Sequence, residues 1–162
     1  MVKLHIRYAK REDAEGILNA HYSAVHQTAS KDYPSEITSE WSPTVTKERI
    51  KRYLERSLPN ETTLVALVDN TIAGFGAIVE STDELRAVYV NAEFSSIGVG
   101  SRLLGELEKI AVERGCKELR MDSSLTAAPF YRRFGYIEVE RGQHTLRSGK
   151  KMECVKMFKP LI

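Results

Sequence analysis

Cysteine is scarce: only Cys116 and Cys154 occur, far apart and without a CxxC spacing. That excludes a disulfide framework and suits a reducing compartment. Long apolar runs are missing too. Nothing approaches the ~20 residues of a membrane-spanning helix, and the opening MVKLHIRYAKRED has no apolar stretch of the secretory kind. A cytoplasmic protein without a membrane partner is expected. Neither sign of charge dominates: 24 Lys and Arg stand against 22 Asp and Glu, a formal net charge of +2. So near a balance argues against nucleic acid as the main partner. No internal repeat and no linker interrupts the 162 residues, which suffice for one core, so a single domain over 1–162 is expected. No metal site is expected.

What is present is a change of period along the chain. LHIRYA (4–9) alternates apolar and polar residues, as a half-buried strand does. Over 11–27, Ala14, Ile17, Leu18, His21 and Val25 recur at helical spacing. Residues 28–44 are rich in Ser, Thr and Pro and read as a loop or short helical turns, with Tyr33 and Trp41 as its large side chains. Ile50, Tyr53, Leu54 and Leu58 mark one face of a helix over 46–58 that is basic elsewhere. Then come a strand (62–68), the turn Asp69-Asn70 and a hairpin partner (71–80), followed by a strand over 84–90. Leu103, Leu104, Leu107, Ile110 and Ala111 stripe a helix over 100–115 that stops at Gly115. A strand (116–123), a short helix (125–135), a strand (136–140), a polar connection (141–150) and a last strand (152–161) complete an α/β chain with a mixed sheet.

The stretch SSIGVGSRLL (95–104) places Gly98 and Gly100 between a strand and a helix. The first N–H groups of a helix have no internal partner, and the helix dipole points its positive end the same way. Glycine lets backbone amides approach an anion closely. A GxG before a helix is equally a plain turn, and the motif alone leaves both readings open. Spacing removes two nucleotide sites. A P-loop needs Lys-Ser/Thr after its second glycine, whereas Ser101-Arg102 follow Gly100. The dinucleotide fingerprint needs a small third residue where Leu103 stands.

At these residues the chain resembles the GNAT superfamily of acetyl-CoA-dependent N-acetyltransferases. Ser95-Ser96-Ile97-Gly98-Val99-Gly100 falls on the family's pyrophosphate loop, Q/R-x-x-G-x-G/A, with Ser95 in place of the usual Arg or Gln and Ile97 where relatives often carry a base. The loop therefore offers amides and hydroxyls and no local cation. SLTAAPFYRRFGY (124–136) matches the family's N/S-x-x-A-x-x-F-Y-x-x-x-G-F/Y helix through Ser124, Ala127, Phe130, Tyr131, Gly135 and Tyr136. The resemblance is good over 84–140 and weaker elsewhere. It implies a central, mostly antiparallel sheet of six to seven strands flanked by about four helices, in a small bacterial enzyme, with a homodimer as a family expectation.

The resemblance also implies roles. Acetyl transfer to an amine needs a neutral nucleophile, a donor at the carbonyl oxygen and a proton for the departing sulfur. Tyr131 is the expected acid. Glu84, six residues before Val90, is the expected base, an ordered water chain being the family's other solution; His21, His26 and His144 are further candidate bases. By period two, Glu84, Arg86, Val88 and Val90 share one face. The pantetheine is expected beside Val88 and Val90, with the Val90 amide as oxyanion donor, the pyrophosphate on Ser95, Ser96, Gly98, Val99, Gly100 and Ser101, and Ser124 and Ala127 on the other side. His21, Tyr33, Trp41 and His144 are the expected acceptor-side residues, for a small-molecule or peptide amine. The alternatives are a non-catalytic acyl-CoA-binding or sensor module and a nucleotide-binding domain.

Overall fold

The structure, a computed structural model, describes residues 3–56 and 61–161. Seven strands form one sheet in the order β1-β2-β3-β4-β5-β7-β6. They are β1 (Leu4–Tyr8), β2 (Thr62–Val68), β3 (Thr71–Val79), β4 (Glu84–Val90), β5 (Glu118–Ser124), β6 (Ile137–Thr145) and β7 (Lys151–Pro160). The α-helices are α1 (Ala14–Ser23), α2 (Ser35–Trp41), α3 (Lys47–Arg56), α4 (Val99–Glu113) and α5 (Ala128–Arg133).

Local chemistry accounts for most of these bounds. Asp69 and Asn70 both take positive φ, 49° and 67°, the geometry of a two-residue turn whose twist matches the strands it joins. Gly115, at φ 90°, ends α4 as expected of a left-handed stop. The five apolar residues of the α4 stripe are all buried, together with Leu64, Ile78, Leu85, Leu119, Val155 and others, in the main core. A second core lies on the other sheet face, where Ile17 and Ala20 of α1 meet Val65 and Phe75.

The structure sharpens the sequence reading in three places. The first helix runs on past Ser23, its last part a π turn over Ala24–Thr28. Residues 28–44 hold a short helix, α2, one of five α-helices among the described residues. Strand β6 runs on to Thr145, through what reads as a polar connection. It is the sheet's edge, exposed on both faces, so it has no alternation to detect. Helix α3 is described as far as Arg56, and Leu58, expected on its apolar face, lies outside the described residues.

Candidate active site

The sheet opens between β4 and β5. These two strands are parallel and share a register at one residue pair only, Glu84 with Arg120, reinforced by the Arg120 N–H donating to Asp83 O at 2.8 Å. Beyond that pair β4 is held from one side, by β3. The Asn91 N–H donates to Ala73 O at 2.8 Å, and Phe75 faces Tyr89 two residues earlier in the same register. Antiparallel pairs alternate between bonded and non-bonded. Gly74–Val90 and Gly76–Val88 are therefore the non-bonded pairs, and Val88 and Val90 turn their backbone N–H and C=O groups away from β3, toward the opening.

A bulge sets which side chains border this opening. Ala77 pairs with Ala87 and Ile78 with Leu85, so Arg86 is the extra residue. One extra residue reverses the alternation. The period-two expectation that Glu84, Arg86, Val88 and Val90 share a face is thereby corrected: Leu85, Val88 and Val90 pack with the α4 core, and Glu84 falls on the face of Tyr89. A cavity of about 1000 Å³ lies there, and its walls include Glu84, Tyr89, Trp41, Ser124 and His144. Tyr131, His21, Tyr33, Val88, Val90 and the 95–101 loop are not among its walls. Tyr89 was missed in the sequence because the simple alternation assigns it away from Glu84. Glu84 pairs with Arg86 Nε at 3.4 Å, and Arg86 also reaches Glu61 at 2.6 Å. Burial pushes the Glu61 carboxyl upward, against the opposing pull of Arg86.

The α4 N-terminus follows β4. Gly98 is its cap residue at φ 89°, with no side-chain cap. The first helical bond runs from Arg102 N to Gly98 O, 3.1 Å. The amides of Val99, Gly100 and Ser101 thus have no acceptor among the described residues. A Cβ built on Gly98 would meet nothing nearer than Ser101 Oγ at 3.8 Å. Gly100 answers a different need: its Cβ would lie 3.3 Å from Phe130, which the bare backbone lets approach. Val99 contributes only its backbone, because its side chain is 1% exposed in the core. The Ser101 hydroxyl donates to Gly98 O at 3.1 Å. Ser95 and Ser96 are exposed, Ser96 at φ 65°. Arg102, in the first turn of α4, is exposed and has no ion-pair partner among the described residues.

Tyr131 sits on α5, its ring edge-on to Phe130 and Tyr136 at 5.1 and 5.6 Å between centroids. The residue is 3% exposed. Its hydroxyl has no hydrogen-bond partner among the described residues, yet no fully enclosed side-chain oxygen or nitrogen lacks one there. The hydroxyl therefore reaches open space. Burial drives the phenol well above its ordinary range, and Tyr89 nearby adds to the rise, so the group stays protonated at neutral pH and can donate. Ser124 and Ala127 shape the entry to α5: the Ala127 N–H donates to Ser124 Oγ at 3.1 Å.

The remaining candidates divide by their contacts. Tyr33 is a strut rather than a wall of the cavity. Its hydroxyl donates to Glu153 O at 2.6 Å and accepts from Leu125 N at 2.8 Å, tying β7 to the start of the α5 segment. His144, exposed on β6, and Trp41 at the end of α2 both border the cavity. His21 stands behind them, its ring 4.5 Å from Tyr89 and 6.1 Å from Trp41. Its Nδ1 is 2.8 Å from the buried Ser42 Oγ, and Arg49 Nη2 lies 3.3 Å from the same nitrogen. An Arg donates only, so Nδ1 is the accepting, unprotonated nitrogen. Burial, with Arg49 and His26 nearby, holds the His21 pKa down at about 3. A group so weakly basic does not serve as the base that sequence position suggests. His26 Nε2 donates to Ser42 O at 2.7 Å, a structural bond.

This buried neutral imidazole carries a prediction. The unfolded chain protonates His21 below about pH 6.5, while the folded chain does so only near pH 3. Its stabilising contribution is complete above 6.5 and declines as pH falls toward 3, by up to about 4 kcal/mol. Urea midpoints from pH 7 to 5, above the range of ordinary carboxylates, should fall for the wild type and stay nearly level for His21→Gln. Parallel curves for the two would remove His21 as the cause.

Comparison with known proteins followed the same lines. Residues 11–157 match the family described as the acetyltransferase (GNAT) domain. The N-acetyltransferase YafP of Escherichia coli is 28% identical over 160 residues, 99% of each chain. A spermidine N(1)-acetyltransferase of Thermoplasma acidophilum is 28% identical over 125 residues, 74% of this chain and 78% of that one. Among solved structures, a GCN5-related N-acetyltransferase from Rhodopseudomonas palustris superposes with a TM-score of 0.87 at 26% identity, covering 99% of this chain and 97% of that one. The PaiA N-acetyltransferase of Thermoplasma acidophilum, solved in complex with coenzyme A, shares the fold with a TM-score of 0.73 at 21% identity, covering 98% and 99%. The split sheet, the bare α4 N-terminus and these matches agree: the chain belongs to the GNAT acetyltransferase family and is an acyltransferase.

Proposed function

We propose that the protein transfers the acetyl group of acetyl-CoA to a primary amine of a small molecule or peptide by direct attack. The cosubstrate supplies an acetyl group activated as a thioester. The amides of Val99, Gly100 and Ser101, the Ser95 and Ser96 hydroxyls and the Arg102 guanidinium would take its pyrophosphate, since aligned amides and a cation are what a diphosphate needs. The open edge of Val88 and Val90 would receive the pantetheine as an added strand does, with the Val90 amide donating to the carbonyl oxygen. Glu84 takes the proton from the incoming ammonium, and Tyr131 gives its proton to the departing sulfur.

The observation that carries this reading is Tyr131: a buried, protonated phenol whose hydroxyl no described residue engages and which still reaches open space. A binding or sensor module has no use for a poised donor at that point. The test is thiol release from acetyl-CoA with a panel of amines. If acetyl-CoA binds and no acceptor, water included, yields thiol, the catalytic reading falls. Within it, Glu84→Gln should lower kcat/KM for the amine by ~10²-fold with the acetyl-CoA KM unchanged. A rate equal to wild type across pH 6 to 9 would assign the proton to a water chain instead.

A further inference from the structure

The cavity beside Glu84 has a charge pattern that constrains what it accepts. Six charged side chains line it: Glu84, Arg86, Glu118, Arg120, Asp122 and Lys156. Each is paired with another member of the same set. Glu84 meets Arg86 at 3.4 Å, Glu118 meets Arg120 at 3.1 Å, and Asp122 meets Lys156 at 3.5 Å. The lining has three acids and three bases, so its formal charge is zero. Arg86 is shared with Glu61, outside the cavity, at 2.6 Å, so Glu84 is the carboxylate open to one ammonium, while Glu118 and Asp122 keep their own partners.

Apolar and aromatic side chains line the same cavity. Trp41 and Tyr89 border the cavity, with Met152, itself 5% exposed, beside them. The aromatic pair is backed rather than free. Phe75 stacks on Tyr89 at 5.5 Å, His21 lies edge-on to Tyr89, and Tyr33 meets Trp41 at 5.6 Å. Behind them Arg49 contacts His21 and Ser42.

Resting on the acetyl-transfer reading above, we infer that the acceptor is a monoamine with a flat apolar body, of the arylalkylamine class, and not a polyamine or a lysine-rich peptide. A monoamine carries one charge, which it gives up before attack, and the rest of it is surface to bury against Trp41 and Tyr89. A polyamine keeps its other charges. Those charges would meet Glu118 and Asp122 already paired and about half-exposed, where a further cation gains little. The chain thereby differs from its relative that is named for spermidine.

Trp41 is the sole tryptophan, so the intact protein reports on this wall without modification. Titrated with phenethylamine in the absence of acetyl-CoA, its fluorescence should change saturably; spermidine should leave it unchanged. In the thiol-release assay, kcat/KM for phenethylamine should exceed that for spermidine by ~30-fold or more, the scale on which a mismatched pocket discriminates. Lys156→Gln, at a half-exposed position, frees Asp122 and should raise the spermidine rate several-fold. Preference of the wild type for spermidine or a lysine-rich peptide overturns the inference and leaves acetyl transfer standing. Saturable quenching by phenethylamine with no thiol from any amine does the reverse: the monoamine site stands and the catalytic reading falls. No quenching by phenethylamine overturns the inference whatever the assay shows.

Discussion

Tyr131→Phe is expected to lower turnover by ~10²-fold or more while CoA affinity stays at the wild-type level. The substitution removes one oxygen from a ring packed edge-on against Phe130 and Tyr136. That oxygen makes no hydrogen bond to any described residue. Deleting it strands no partner, so the usual cost of a lost buried hydrogen bond does not arise. Thermal stability should be equal or slightly higher. The effect is thus confined to the one thing the hydroxyl is placed to do, protonate the departing sulfur. Steady-state kinetics, with calorimetric CoA titration beside them, check it. A variant with wild-type kcat removes Tyr131 from the acid's role.

Gly98→Val is the second large effect, expected to weaken CoA binding by ~10²-fold or more. Two features at Gly98 combine. Its φ of 89° is a conformation that a β-branched residue adopts at a cost of roughly 1–3 kcal/mol. Its Cβ position is open, with Ser101 Oγ at 3.8 Å as the nearest atom. The valine therefore finds room in the folded protein, next to the first amides of α4, where its methyl groups are expected to keep an anion from approaching. A modest fall in melting temperature with a complete loss of CoA heat is the expected pair of results. Retained affinity in a folded variant would sink the amide cradle. The contrast is Gly74, where a Cβ would lie 2.7 Å from Tyr89 O. A substitution there injures the sheet first, and any loss of binding would be uninformative.

Much of this architecture is readable from the residues because its causes are local. The α4 stripe spans Leu103 to Ala111, and all five positions are buried. The Asp69-Asn70 turn needs two left-handed residues and has the types that tolerate them. Where causes are not local, the reading goes wrong or stays silent. Residues 141–145 look like a connection because an edge strand exposed on both faces keeps no hydrophobic period. Tyr33 and Trp41 look alike in a polar loop. The fold makes one a strut, bonded at both sides of its hydroxyl, and the other a wall of the cavity.

By itself the sequence determined the helix and turn signals, the glycine pair ahead of α4 and the PFYRRFGY segment, and with them the family. Each is a contiguous pattern whose physics acts within a few residues. Tertiary structure decided the rest. At the bulge, Arg86 is the extra residue of β4 against β3, and this puts Glu84 on the face of Tyr89. The neutrality of His21 depends first on burial and then on Arg49, which comes beside it only after α1 and α3 pack. The charge balance of the cavity depends on Asp122 of β5 facing Lys156 of β7 in antiparallel register. Charges pair by distance in space, and that distance does not exist until the sheet forms.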